Sequence, residues 1–270
     1  MSEAPLSEAP VTELPFRVDL DHGVAVVTLD RPDRLNALTF AVYAALAAWF
    51  RAPPAGTRAV VVTGAGKGFC SGGDVEDIIG QLFEKDAAGL LAFTRMTGEL
   101  VRAMRACPAP IVAAINGVAA GAGAIIAMAS DLRVGCPTTR VAFLFNKVGL
   151  SGADMGACHL LPRIVGQGRA AELLYLGDVV GADEAHRIGF LNRVVPAEGL
   201  LAEAIGIARR IADGPAFANS VTKTQLDREM DVSLDAAIEM EAQAQAICML
   251  HPDFREAHVA WKEKRRPTYR

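Results

Sequence analysis

Asp154 is the acidic side chain whose setting best fits proton chemistry. It lies in VGLSGADMGACHLLPRIVG, with Ala, Met and Gly around it. A carboxyl in a partly apolar pocket has its charged form disfavoured, and its pKa rises toward a useful general acid/base range. The same aspartate also reads as a helix N-cap, since a helical pattern follows; the two roles can coexist. Two glycine-rich stretches add a second kind of chemistry: GAGKGFCSGGDVEDI at 64–78 and NGVAAGAG at 116–123. Each follows a short apolar run and precedes a helical pattern, which places free backbone N–H groups at a helix N-terminus. Those groups suit an anionic or oxyanionic atom. Tight helix–sheet packing would explain the glycines equally well.

Other reactive residues carry blander readings. Glu76 and Asp77 follow the first glycine loop and read as solvated acids at a helix start. Cys70 and Ser71 serve the turn, and no spacing supports a Ser–His–Asp triad. His159, five residues after Asp154, projects off that residue's helical face. Cysteines 70, 107, 136, 158 and 248 are scattered without CxxC spacing, which argues against zinc and for a reducing compartment.

The elements that must position these groups read as alternating strands and helices. Residues 16–20 and 24–29 alternate as a hairpin around Asp-His-Gly, and DRPDRLNALT follows as a loop. Thr39 caps a helix over 40–50. A strand over 59–63 runs into the first glycine loop, and 86–106 forms a long amphipathic helix ending before Pro108. Residues 111–115 form a buried strand, and 121–130 a helix packed on every side. Strands near 131–135 and 140–144 precede helical stretches over 154–175 and 182–188 and a last strand over 190–195. From 197 to 262 the pattern is helical, broken near Gly214-Pro215 and His251-Pro252. The pattern predicts an α/β core over 16–196, a helical region over 197–270 and a frayed tail over 1–15.

Composition narrows the partners. Thirty-one acidic and 27 basic side chains give a net charge of −4, which offers no general attraction for nucleic acid or anionic membrane. The apolar run at 111–129 is interrupted by Asn116 and several glycines, against a membrane span. Residues 1–15 have neither a basic nor an apolar targeting region, so the expected location is cytoplasmic.

The two strand–Gly–helix loops, GFCSGGD and NGVAAGAG, together resemble the paired oxyanion-hole loops of the crotonase (enoyl-CoA hydratase/isomerase) superfamily. LDRPDRLNAL, ASDLRVG, LLPRIVGQGRAAELLYLG and FREAHVAWKEKRRP extend the resemblance in the family's order from about residue 16 to 267. It implies a spiral of repeated ββα units with a C-terminal helical region that assembles trimers or dimers of trimers. It also implies an acyl-CoA thioester substrate, no separate cofactor and no metal. An enolate-like species would be stabilised by the backbone N–H groups at Gly73 and Ala122, the latter where glycine is usual.

The acid/base positions depart from the family. Hydratases of this kind use two glutamates; Ile125 and Phe145 stand at the matching positions here. Counting back from Arg163, Asp154 falls where two branches carry a functional aspartate. In dienoyl-CoA isomerases it moves a proton, and in 4-chlorobenzoyl-CoA dehalogenases it attacks the ring. The segment 140–154 is about one residue longer than in those branches. Asn146 lies near the place of the isomerases' second acid. For coenzyme A the resemblance implies contacts from Arg34, Asn36 and Ala37 and from the loop carrying Lys67, Ser71, Gly72 and Asp74. Gly121 shapes the second loop, and Phe93, Phe143 and Phe145 face the acyl tail or pack in the core. Lys262 and Arg266, with Lys264 and Arg265, reach a 3′-phosphate or simply solvate the chain end. The resulting expectation is an enoyl-CoA hydratase or isomerase using Asp154. The alternatives are an aroyl-CoA enzyme with Asp154 as nucleophile, or a non-catalytic binding protein.

Overall fold

The computed structural model describes residues 14–270. The tail expected over 1–15 falls almost wholly outside them. Strands β1 (Arg17–Asp21), β2 (Val24–Leu29) and β3 (Ala59–Gly64) flank helix α1 (Phe40–Arg51). The short turn α2 (Gly80–Leu82) and the long helix α3 (Ala87–Ala106) lead to β4 (Ile111–Ile115), β5 (Val118–Ala120) and α4 (Ala122–Ala129). Then come β6 (Leu132–Gly135), β7 (Arg140–Ala142), α5 (Ala157–Val165), α6 (Gln167–Leu176), β8 (Val180–Gly181), α7 (Ala182–Arg187) and β9 (Arg193–Val194). Helices α8 (Leu200–Ala212), α9 (Ala216–Arg228), α10 (Leu234–Leu250) and α11 (Pro252–Glu263) complete the chain.

Six strands form one sheet in the order β1-β2-β3-β4-β6-β9, parallel after the initial β1–β2 hairpin. A second sheet, β5-β7-β8, is extended by bridges from Leu38 to Gly73 and from Cys70 to Ala119. Repeated turns of two strands and a helix therefore build the spiral.

Alternation along the strands splits the core between the two faces of the large sheet. Ala25, Val27, Val60, Val62, Ile111, Ala113 and Ile115 face α1, α3 and α4, where Leu46, Phe50, Leu100 and Met104 meet them. Val24, Ala59, Val61, Val112, Ala114 and Val134 face Leu200, Ala204, Ala208 and Ala212 of α8. Residues at this four-residue spacing share one helix stripe, and three of the four are alanines, which let α8 lie close to the sheet. Helix α8, the first helix after residue 196, thus covers a face of the large sheet.

Three further differences have local causes. The helical stretch expected over 154–175 is two helices, because Gly166 turns the chain at φ +81°. The last strand shrinks to Arg193–Val194 because Phe190 and Leu191 are buried in the core instead of paired in the sheet. Val118–Ala120, expected as part of a turn, pairs in parallel with Arg140–Ala142 as β5.

Candidate active site

The first glycine loop is clamped before it reaches the site. Asn36, at φ +58°, donates from Nδ2 to the carbonyls of Ala65 (2.9 Å) and Gly68 (2.8 Å), and its Oδ1 accepts from the Arg31 N–H. Leu38 then exchanges backbone bonds with this loop: its N–H donates to Gly72 O (2.8 Å) and its carbonyl accepts from Asp74 N–H (2.9 Å). The Asp74 carboxylate accepts from the N–H groups of Glu76 and Asp77 and pairs with Arg31 at 2.9 Å. The Asp77 N–H foremost, and then Arg31, hold it below the usual carboxylate range against the opposing effect of burial.

The second loop is pressed against the first. Val118 O accepts from the N–H groups of Phe69 and Cys70, and Cys70 O accepts from Ala120 N–H (2.9 Å). At Gly72, with φ +107°, a Cβ would lie 3.0 Å from Ala120 O and 3.6 Å from Ala122 N; at Gly123 it would strike Cys70 O at 2.0 Å. Close backbone approach, not turn geometry alone, requires these glycines. Gly121, at φ +51° and ψ −120°, turns the chain so that Ala122 opens α4. Ala122 is not among the residues at positive φ, so its methyl group fits where glycine was expected.

Two donors remain. Among the described residues, neither Gly73 N–H nor Ala122 N–H is bonded to a protein acceptor. The contact of Gly72 with residues 120–122 sets them side by side, one of them at the N-terminus of a fully buried helix. Fixed donors of this kind stabilise negative charge that develops on a carbonyl oxygen.

Asp154 does not cap α5; Gly156 occupies that position. Asp154 instead begins a tight turn in which its carbonyl accepts from Ala157 N–H at 2.9 Å. Both central residues are left-handed, Met155 at φ +45° and Gly156 at φ +81°. A left-handed methionine stores strain, and such strain gathers where a neighbouring group must be aimed. The Asp154 carboxyl is half-buried, and burial pushes its pKa up against the opposing effect of the Met155 N–H.

Several residues expected to line the substrate serve the scaffold. The Asn36 and Asp74 side chains are spent on the loop clamps just described. Ala37 is buried and its carbonyl accepts from Arg31 (2.6 Å). Ile125 is fully buried and Phe145 nearly so, leaving hydrocarbon at both expected glutamate positions. Asn146 donates to Tyr175 O, while its buried Oδ1 has no partner among the described residues. Ser71 Oγ donates to Arg34 O at 3.3 Å. Arg34 is exposed and pairs with Glu76 at 2.7 Å, and Lys67 is exposed on the first glycine loop. Lys262 and Arg266 are exposed near the end of α11.

Two features escaped sequence reasoning. Arg31 ties Ala37 and Asp74 together, and Tyr43 buries a phenol in α1. An arginine before Pro32 and a tyrosine on an apolar helix face carry no local signal of those places. Cys70 is neutral as well as structural, its thiol pushed up to about 12 by complete burial.

The α/β spiral thus carries two unpaired backbone N–H groups, one of them at the start of a buried helix. The family model for enoyl-CoA hydratase/isomerase matches residues 19–270, and the chain belongs to that family, within the crotonase superfamily. A probable enoyl-CoA hydratase of Rhodobacter capsulatus is 35% identical over 257 residues, covering 94% of this chain and 97% of that one. The 1,2-epoxyphenylacetyl-CoA isomerase of Escherichia coli is 33% identical, covering 93% and 96%. A crystal structure of a provisionally named enoyl-CoA hydratase from Streptomyces coelicolor A3(2) superposes with a TM-score of 0.94 at 51% identity, covering 100% of this chain and 99% of that one. The chain is accordingly an acyl-CoA enzyme of the hydratase/isomerase family. No helix among the described residues is long and apolar enough to cross a membrane.

Proposed function

We propose that this enzyme hydrates or isomerises an enoyl-CoA, holding the thioester enolate on the N–H groups of Gly73 and Ala122 and moving a proton with Asp154. The observation that carries this reading is the pair of unpaired backbone donors, fixed by contact between the two glycine loops. Charge that appears on the thioester oxygen only as the enolate forms is favoured by donors already in place. Asp154 supplies the proton transfer because its carboxyl, half-desolvated, can exchange a proton near neutral pH more readily than an ordinary aspartate. Ile125 and Phe145 leave no carboxylate at the two positions that serve the family's usual hydration.

Coenzyme A fits the exposed cations at the rim. Arg34 would exchange Glu76 for a phosphate, with Lys67 as a second point charge. Lys262 and Arg266, near the exposed C-terminus, suit a 3′-phosphate across a subunit boundary in a homotrimer or dimer of trimers. Large apolar side chains left open on the terminal helices, Leu234, Leu250, Phe254 and Trp261, favour such an assembly.

Product analysis by mass spectrometry in H₂¹⁸O tests the reaction, using enoyl-, dienoyl- and aroyl-CoA thioesters with wild type and Asp154→Asn. Gain of water, or an isomer of unchanged mass, abolished in the variant, supports the proposal. Halide release from a halogenated aroyl-CoA would replace proton transfer by nucleophilic attack. Equal activity of variant and wild type would remove Asp154 from the chemistry.

A further inference from the structure

The Gly73 N–H takes its direction from a neighbour across a short backbone ladder. Leu38 bridges to Gly73 in parallel, and the Leu38 N–H donates to Gly72 O at 2.8 Å. A trans peptide turns its carbonyl and its N–H to opposite sides, so the Gly73 N–H faces away from Leu38. Where it points therefore depends on how residues 37–38 sit against residues 72–74. Arg31 holds that placement from the side. Its Nη1 donates to Ala37 O at 2.6 Å and lies 2.9 Å from Asp74 Oδ2. Ala37 is the residue before Leu38, and Asp74 the residue after Gly73, so one nitrogen pins both segments of the ladder. Arg31 is itself fixed: its N–H donates to Asn36 Oδ1, and its carbonyl accepts from the N–H groups of Arg34 and Asn36. The Asp74 side chain is 5% exposed, and Arg31 is the one cation paired with it among the described residues. Without that cation a buried carboxylate is left with N–H donors alone, at a cost relieved by moving toward water. Such a movement carries Gly73 with it.

We infer that Arg31 is a positioning residue for the oxyanion donors: acting through Ala37 and Asp74, its guanidinium sets the direction of the Gly73 N–H. This rests on the proposed use of Gly73 and Ala122 as donors to the thioester oxygen, and it adds the group that aims one of them. Ala122 needs no such support. It opens α4, where Gly121 O already accepts from Ile125 N–H at 3.1 Å, so the helix itself directs the Ala122 N–H. Gly73 precedes the helical turn Val75–Ile79 and is held laterally, through Leu38. A donor displaced by about 1 Å loses most of what it contributes as charge develops on the oxygen. Ground-state affinity is spread over the whole CoA thioester and depends little on that one bond. Loss of Arg31 therefore falls on kcat rather than on KM.

Arg31→Met removes the bridge at similar length, and Arg31→Lys keeps a cationic nitrogen near the place of Nη1. The first readout is turnover of whichever thioester wild type accepts. For Arg31→Met, kcat should fall on the order of 100-fold with KM within about threefold, and Arg31→Lys should recover about tenfold of that loss. The second readout needs neither turnover nor Asp154. It is the infrared carbonyl stretch of bound butyryl-CoA labelled with ¹³C at the carbonyl, which hydrogen bonds to the oxygen lower. Wild type should move the stretch below its value in solution; Arg31→Met should lose much of that shift, and Arg31→Lys less. Asp74→Asn breaks the same bridge from its other end and should show the same pattern, which keeps the test open if Arg31→Met does not fold. Wild-type kcat and an unchanged stretch in the folded variants would overturn the inference, even if they melt lower, because Arg31 would then serve stability alone. So would a fall in kcat with the stretch unchanged, since the donor would not have moved. If wild type turns over no thioester, the stretch alone decides. Absence of any shift when wild type binds butyryl-CoA would instead remove the oxyanion reading of Gly73 and Ala122, and this one with it.

Discussion

Asp154 and Asp74 show how environment divides two carboxylates. Asp74 is held below the ordinary range by the Asp77 and Glu76 N–H groups and Arg31. Its contribution to stability is complete above the ordinary aspartate pKa and is lost as pH falls through the lowered folded value. Asp154 is raised by burial, so the sign reverses: the folded protein binds the proton more tightly than the unfolded chain. Stability is favoured below the ordinary value and declines as pH rises from it through the raised one. Asp154→Asn should therefore melt higher than wild type at neutral pH, a difference that vanishes in acid, while turnover falls roughly 10²- to 10⁴-fold. Thermal melts from pH 3 to 8 beside kcat measurements check both parts. A variant that melts lower at neutral pH would contradict the assigned sign.

Elements matter here through how tightly they dock. Gly121 carries backbone angles that an L side chain rarely adopts, and it sets where Ala122 points its N–H. Gly121→Ala should cost about 1–3 kcal/mol of stability. By displacing one oxyanion donor it should lower kcat about 10²- to 10³-fold with little change in KM, measured with whichever thioester wild type turns over. Helix α9 docks differently, through a buried cation. Lys223 is 4% exposed and donates to the carbonyls of Met104 (3.0 Å) and Ala109 (3.2 Å) and to Asp131 at 2.9 Å. Asp131 also accepts from Ile111 N–H, and Arg105 joins it to Asp227 on α9. Lys223→Met leaves those acceptors short of a donor and should destabilise the protein by about 3 kcal/mol, read as a shift in the denaturation midpoint with unchanged slope.

At the scale of the whole molecule, the spiral encloses its core on both sheet faces with α8 included, while α10 has no fully buried residue. Leu250 is 86% and Trp261 77% exposed, an arrangement that a lone chain in water does not favour. If these helices meet other copies of the chain, melting temperature should rise with protein concentration, and light scattering should give a mass of three or six chains. A monomer mass with a concentration-independent melt would exclude the assembly. The exposed cations of α11 would then have no neighbouring site to serve.

The sequence by itself determined the class of the fold and the location of its reactive loops. Period-two strands and the Thr39 cap are local requirements, legible one residue at a time, and the runs of glycine mark the two loops, although the need for glycine at 72, 117 and 123 comes from the facing loop. Local pattern also made Asp154 conspicuous. It did not show how Asn36, Asp74 and Ile125 are held, because what a polar or apolar side chain packs against depends on segments distant in the chain. Asn36 spends its amide on residues 65 and 68, and Asp74 meets Arg31 across more than forty positions. Only tertiary structure could decide those pairings, the left-handed turn after Asp154 and the packing of α8 on the sheet. Each follows from close packing between remote segments, which no spacing within a single segment encodes.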